Sequence, residues 1–292
     1  MMLLVGGDSE IGAATYRHLK GQGRPVCATT RRRDRVAPDR PLLDLAASLD
    51  DWQPPPDTRA ACIFVAIARL AACAVDPVGS ARVNVTQTLA LVERLMARNI
   101  HVLFLSTNQV FDGTMPHVQP DAPTCPVSDY GRQKARVEAA LRDHMRRGAS
   151  VAILRLGKVV SPAMALIEDW IDALAAGRTI EAFHDMPLAP TPIDLTAAAI
   201  GALLEDRLSG VYQLTGPRDV SYADIGRFLA GHLDVDPNLV REVSALDAGL
   251  PKGATPRHTT LDSSALRERY GLEPPDIWAI IEPMIAVRTG VR

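Results

Sequence analysis

The chain is predicted to fold as an α/β protein, a doubly wound parallel sheet with a smaller mixed α/β lobe at its carboxyl edge. Three observations point there. Through the first half, short apolar runs alternate with longer amphipathic stretches, the pattern of parallel strands buried on both faces and joined by helices. A glycine-rich turn, Gly6-Gly7-Asp8-Ser9-Glu10-Ile11-Gly12, separates the first apolar run from the first amphipathic stretch. After Leu156 the rhythm breaks into segments punctuated by Pro162, Pro187, Pro190, Pro192 and Pro217.

Taken in order, Met2–Val5 reads as a strand, Ile11–Lys20 as a helix and Pro25–Thr30 as a second strand. Ala61–Ala68 and His101–Ser106 are continuous apolar runs suited to buried strands. Between them Val85, Leu89, Val92 and Met96 form one stripe of a helix over about Gly79–Arg98. A helix carrying Tyr130 and Lys134 runs to about Arg147 and feeds the strand Val151–Leu156. Amphipathic helices follow near Ala163–Ala176, Leu195–Arg207, Tyr222–His232 and Ile277–Val287. The expected division is 1–157 plus about 190–208 in a nucleotide-binding domain, with about 158–189 and 209–292 in a substrate-binding lobe.

The chain has 292 residues, long enough for one large or two modest domains with a full core. At 47% hydrophobic, 23% charged and net charge −2 it has no basic excess for nucleic acid. The apolar start Met1–Val5 is too short for a signal peptide and lacks a cationic flank, and no 18 apolar residues run together. Cys27, Cys62, Cys73 and Cys125 form no C-x-x-C pair, which fits a reducing compartment, the cytoplasm by default. The histidines show no H-x-x-x-H or H-E-x-x-H spacing, so no metal site is expected. The expected partner is a small molecule, with neither nucleic acid nor membrane, and a homodimer is left open.

Gly6, Gly7 and Gly12 sit where a helix N-terminus and backbone amides receive a pyrophosphate, the Rossmann arrangement. Ser9 stands where the middle glycine of that fingerprint is usual; it can hydrogen-bond a phosphate or weaken the site. The second strand ends at Thr30-Arg31-Arg32-Arg33, without the carboxylate that bonds the ribose hydroxyls of NAD. Guanidinium groups pair bidentately with phosphate, so NADP(H) is the cofactor expected, with Thr30, Arg31 and Arg32 around its 2′-phosphate. Asp44 is placed to accept from the adenine amino group.

A second constellation carries chemistry. Phe104-Leu105-Ser106-Thr107 brings two hydroxyls to a strand end, and Tyr130 and Lys134, four apart, share one helix face. A phenol beside an ammonium can hold a lowered pKa, and a neighbouring hydroxyl can orient a carbonyl oxygen. Together these protonate a ketone as hydride arrives, or run the reverse oxidation.

With Gly6–Gly12, Asn84, Thr107, Tyr130 and Lys134 in this order, the chain resembles the extended short-chain dehydrogenase/reductase superfamily. Within it, the resemblance is to the dTDP-4-dehydrorhamnose reductase family. Ser106-Thr107-Asn108-Gln109-Val110-Phe111-Asp112-Gly113 is similar to that family's S-T-D-x-V-F-D-G. Asp185–Leu195 resembles its D-Q-x-G-x-P-T-x-x-x-D-L, and Pro256–Asp262 its P-R-P-x-x-x-L-D. The resemblance implies Tyr130 as proton donor, Lys134 as the cation that lowers the Tyr130 pKa and binds the nicotinamide ribose, and Thr107 as a substrate hydrogen-bonder. Asn84 is implied to support a proton relay through water. Glu10, Ile11, Ala66 and Ala68 join the expected cofactor contacts. Arg69, Asn108, Gln109, Phe111, Lys158, Pro190 and Arg257 join the expected substrate contacts.

The chain departs from the family pattern at Asn108 for an acid, Gln109 for an aromatic, Lys158 for a tryptophan, Met186 for a glutamine and His258 for a proline. The intact Thr107, Tyr130 and Lys134 imply preserved reductase chemistry on a 4-keto sugar nucleotide, while the altered pocket leaves the substrate open. Lys158 can meet a diphosphate, a carboxylate or solvent. Two other readings stand beside the reductase. One is a non-catalytic NADP-binding regulatory subunit, since the same family resembles the regulatory subunit of methionine adenosyltransferase. The other is a nucleotide-sugar epimerase.

Overall fold

The computed structural model describes residues 1–161, 164–250 and 255–289. From the N-terminus run β1 (Met2–Val5), α1 (Glu10–Gly21), β2 (Val26–Ala28), β3 (Ala60–Ile63), α2 (Leu70–Val75), α3 (Pro77–Ala81), α4 (Thr88–Met96), β4 (His101–Thr107), α5 (Asp129–Arg146) and β5 (Val151–Leu156). Then come β6 (Val159–Val160), α6 (Ala165–Ala175), β7 (Ile180–Phe183), β8 (Pro187–Leu188), β9 (Thr191–Pro192) and α7 (Ile193–Asp206). The chain ends with β10 (Gly210–Leu214), β11 (Val220–Ser221), α8 (Tyr222–His232), β12 (Val240–Val243), α9 (Ser264–Tyr270) and α10 (Ile277–Thr289).

Six strands pair in parallel in the order β10-β5-β4-β3-β1-β2. Just past β2, Thr30 bridges Leu42 in parallel, which extends that edge by a rudimentary strand. Strand order reverses between β1 and β3, so the crevice beyond their carboxyl ends is where a doubly wound sheet binds its ligand. Both faces of the sheet are covered. Leu3, Val5, Ile63, Phe104 and Ile153 pack toward Leu91, Leu95, Val137 and Leu141 of α4 and α5. Leu4, Leu103 and Leu154 pack toward Leu19 of α1 and Ile200 and Leu203 of α7. Each such side chain withdrawn from water contributes about 1.5–3 kcal/mol before conformational entropy is set against it.

The lobe has its own core, in which Ile167, Trp170 and Ile171 of α6 meet Ile225 and Leu229 of α8 and Ile281 of α10. Three two-stranded ladders dress it: β7–β12 and β6–β9 parallel, β8–β11 antiparallel. Among the described residues no helix is long and apolar enough to cross a membrane.

The structure differs from expectation at four places, and the first is the strand expected over Ala61–Ala68, which ends at Ile63. The helix expected over about 79–98 is interrupted, with a π-helical stretch Arg82–Gln87 joining α3 to α4. β10, which falls past the boundary expected near 209, pairs with β5 in the main sheet, and Leu266 of α9 is buried against the same face. As an edge strand holding Tyr212 and Gln213, β10 lacks the continuous apolar run that betrays its inner neighbours. The helix expected from Ala163 starts at Ala165; Pro162 and Ala163 lie outside the described residues.

One polar network pins β10 and the C-terminal segment to the sheet. Arg155 of β5 and Glu138 of α5 are 0% and 1% exposed and pair at 2.7 Å. Arg155 also donates to the Pro120 carbonyl and to Gln213 Oε1, at 3.2 and 2.9 Å, and its guanidinium lies over the Phe111 ring. Gln213 in turn donates to the Val118 and Asp262 carbonyls. Each nitrogen of this buried guanidinium donates to a partner, which offsets the cost of taking its charge out of water.

Candidate active site

The glycine loop closes tightly on itself. Gly6 has φ +94°, and a Cβ there would come within 2.7 Å of Val65 Cγ2, so only glycine serves. Ser9 is the N-cap of α1: its hydroxyl donates to the Gly6 carbonyl at 2.8 Å and accepts from the Gly12 amide at 3.1 Å. Ser9 thus staples the loop, and its hydroxyl is spent on the protein. With the Gly12 and Ala13 amides bonded to Ser9, those of Glu10 and Ile11 are left at the positive end of α1 for an anion. This is a cradle that fits a cofactor pyrophosphate.

Beside it, β4 delivers Thr107 and α5 delivers Tyr130 and Lys134. Thr107 caps the short turn Asn108–Val110, accepting from the Gln109 amide at 3.2 Å and donating to Asn108 Oδ1 at 3.3 Å. A Cβ on Gly131 would lie 2.1 Å from the Gln109 carbonyl oxygen. The glycine therefore lets the start of α5 press against that turn, which brings Tyr130 to the same cavity as Thr107. Ser128 caps α5 through the Gly131 amide and also donates to Gln109 Oε1.

Lys134 is buried, its ammonium donating to the Leu105 carbonyl at 2.7 Å and lying 4.3 Å from the centre of the Phe104 ring. Desolvation lowers its pKa to about 8, with Glu138 opposing. The Tyr130 phenol is raised well above its ordinary value, by burial first and by Cys73 second. This overturns the expectation of a phenol lowered by Lys134. The ammonium is 5.9 Å from the Tyr130 ring centre and engaged elsewhere, so desolvation wins.

A cavity of about 610 Å³ joins these parts. Ser9, Glu10, Ile11, Ala66, Ala68, Thr107, Asn108, Gln109, Tyr130, Lys134 and Lys158, all singled out from the sequence, line it. Phe64, Leu105, Ser106, Leu156, Gly157 and Val159 line it too, as do Met186, Pro187, Leu188, Tyr222, Pro256 and Thr259 of the lobe side. Met186 was marked from the sequence as a pocket departure, and Pro187, Leu188, Pro256 and Thr259 lie in the two motifs quoted for the family. Tyr222 gave no local signal, because only the folded chain brings it over the sheet edge.

Several expected contacts lie elsewhere. Asn84, 2% exposed in the π-helical stretch, accepts from the Ile67 amide at 2.7 Å and donates to the Ile67 carbonyl and Gln133 Oε1. It braces the 66–68 wall from behind, with both amide protons spent on Ile67 and Gln133. Phe111 is buried against Val110 and Leu261 beneath Arg155, away from the cavity. Pro190 is buried, its carbonyl facing Gly216, and Arg69 and Arg257 are exposed outside the wall.

At the far end of the glycine loop, Gly6 and Gly12 sit behind the wall while Arg31, Arg32 and Asp44 stand in solvent. Thr30 is buried, donating to Asp8 Oδ2 at 2.6 Å and accepting from the Arg32 amide at 3.0 Å. Asp8 also approaches Arg35 and Arg40, at 3.6 and 3.9 Å. The glycine loop thus places a carboxylate beside the end of the second strand, engaged by Thr30 and two arginines, while Arg31 and Arg32 take part in no ion pair among the described residues.

A family model described as "RmlD substrate binding domain" matches residues 1–288. Among curated relatives, the "Probable low-salt glycan biosynthesis reductase Agl14" of Haloferax volcanii is 26% identical over 290 residues, covering 94% of this chain and 93% of its own. The dTDP-4-keto-6-deoxy-D-glucose reductase of Streptomyces niveus is 29% identical over 280 residues, covering 94% and 93%. Among solved structures, a dTDP-4-dehydrorhamnose reductase from Bacillus anthracis strain Ames, in complex with NADP, superposes with a TM-score of 0.77 at 16% identity, over 97% of each chain. The glycine cradle, the Thr107, Tyr130 and Lys134 cluster and the match along nearly the whole length together place this chain in the RmlD substrate-binding domain family of the extended short-chain dehydrogenase/reductase superfamily.

Proposed function

We propose that the protein is an oxidoreductase that reduces a 4-keto nucleotide sugar with NADPH, Tyr130 giving the proton. The observation that carries this reading is the meeting of Thr107, Tyr130 and Lys134 with Ser9, Glu10 and Ile11 in the wall of one cavity. The two curated relatives described above are reductases, one of them of a dTDP-4-keto sugar, and the Bacillus structure holds NADP. Those facts support the substrate class and the cofactor.

When bound, the nicotinamide supplies a hydride to the carbonyl carbon. The Tyr130 hydroxyl passes its proton to the keto oxygen as charge develops there, and the product is the alcohol. Burial that raises the Tyr130 pKa keeps the phenol protonated until then. Thr107, whose hydroxyl needs only to turn from Asn108, donates to the same oxygen. The Lys134 ammonium offsets the charge of the phenolate that remains, and water returns its proton. Oxidation of NADPH on adding dTDP- or UDP-linked 4-keto sugars, absent in Tyr130→Phe, is the test. Tight NADPH binding without turnover on any such sugar would reject the reductase and favour a regulatory subunit.

A further inference from the structure

We propose that Lys158 makes this enzyme select a substrate whose sugar carries a carboxylate, a uronic-acid type of nucleotide sugar. The proposal rests on the reductase reading above and narrows it.

Among the described residues three charged side chains line the cavity: Glu10, Lys134 and Lys158. Glu10 sits in the first turn of α1, on the cofactor side, and Lys134 spends its ammonium on the Leu105 carbonyl. Lys158 is exposed within this wall and takes part in none of the ion pairs among the described residues. Its main chain is fixed: the Lys158 carbonyl accepts from the Thr191 amide at 2.9 Å, and Val159 pairs with Thr191 in the β6–β9 ladder.

Position says which anion it meets. Leu156 is the cross-strand partner of Thr107, and Lys158 follows two residues later, which sets its backbone at the Thr107 end of the wall. The adjoining Asn108 and Gln109 are neutral, and Met186, Leu188, Tyr222 and Thr259 opposite carry no charge. Among the described residues no acid in that part of the wall pairs with Lys158, so its ammonium stands in water and is available to an anionic group on a ligand. Arg257 lies outside the wall but follows its member Pro256 in sequence and is likewise in no ion pair among the described residues, so a diphosphate at the rim has a cation other than Lys158. A ligand filling the cavity displaces the water that screens Lys158, which strengthens its pairing with a carboxylate on the sugar.

The test is calorimetric titration of protein saturated with NADP⁺. The titrants are UDP-glucuronate, UDP-glucose and UDP with their dTDP counterparts, against the parent, Lys158→Gln and Arg257→Gln. The expected result is that the parent binds one glucuronate conjugate about tenfold more tightly than the matching glucose conjugate, the worth of one charge-assisted contact. Lys158→Gln should erase that preference and leave the glucose conjugate and the bare nucleotide unchanged. Equal loss for all three ligands in Lys158→Gln would assign Lys158 to the diphosphate and overturn the proposal. A parent without preference would overturn it too, while leaving the nucleotide-sugar reading standing. No binding in either series would bring down that reading and the proposal with it.

Discussion

Replacing Lys134 by methionine should trade activity for stability in a way that pH reveals. The side chain is 3% exposed, and burial moves the ammonium from its ordinary 10.5 to about 8. That displacement amounts to about 3 kcal/mol held against the charged form at neutral pH. Because the folded pKa lies below the unfolded one, the unfolded chain binds more protons between about pH 8 and pH 10.5. Parental stability from this group therefore rises with pH across that window and is lost as pH falls through about 8. Methionine fills similar volume and does not titrate. It also orphans the Leu105 carbonyl from its 2.7 Å partner, at a cost of about 1–3 kcal/mol that does not vary with pH. The unfolding free energy of Lys134→Met relative to the parent should therefore be most favourable below about pH 8 and decline by about 3 kcal/mol toward pH 10.5. Urea unfolding of cofactor-free parent and variant, followed by circular dichroism at several pH values in that range, measures the difference directly. Parallel stability curves would refute the argument, because they would mean that Lys134 titrates alike in the folded and unfolded chains.

Three further outcomes are expected. Tyr130→Phe should lower turnover by about 10²–10⁴-fold and leave NADPH affinity nearly unchanged in a fluorescence titration, since only the donor proton is lost. Arg31→Ala with Arg32→Ala should weaken NADPH by about 1.5–3 kcal/mol per charge-assisted bond lost and spare NADH; equal weakening of both would remove the arginines from the 2′-phosphate. Glu138→Gln should cost about 3–5 kcal/mol of stability by stranding the fully buried Arg155, and Glu138→Leu with Arg155→Met should cost distinctly less.

What the sequence disclosed and what it hid follow from the range of each interaction. The inner strands were legible because burial on both faces demands unbroken apolar runs, as in His101–Ser106. The glycine loop and the four-residue spacing of Tyr130 and Lys134 are local geometry, readable within a dozen residues. β10 escaped because an edge strand needs fewer apolar residues. Asn84 was legible as a polar residue in the motif order but not as a brace, because its partners Ile67 and Gln133 are 17 and 49 residues away. Asp8 was hidden for a similar reason: its carboxylate meets Thr30 only once β1 and β2 lie side by side.

The face of α5 that holds Tyr130 and Lys134 continues one turn further to Glu138, and that third member changes how the first two work. Glu138 is a charge buried to 1%, tolerable only because Arg155 answers it from β5. Its field raises the Lys134 pKa against desolvation, so a structural ion pair helps hold the site's ammonium protonated at neutral pH. Arg155 in turn bonds the Pro120 carbonyl and Gln213, and Gln213 holds Val118 and Asp262. The same network therefore anchors the C-terminal segment that brings Pro256 and Thr259 to the cavity. A buried pair of this kind is weak as a source of stability. Its value here lies in fixing, through one helix face, both the charge state of Lys134 and the position of the wall opposite it.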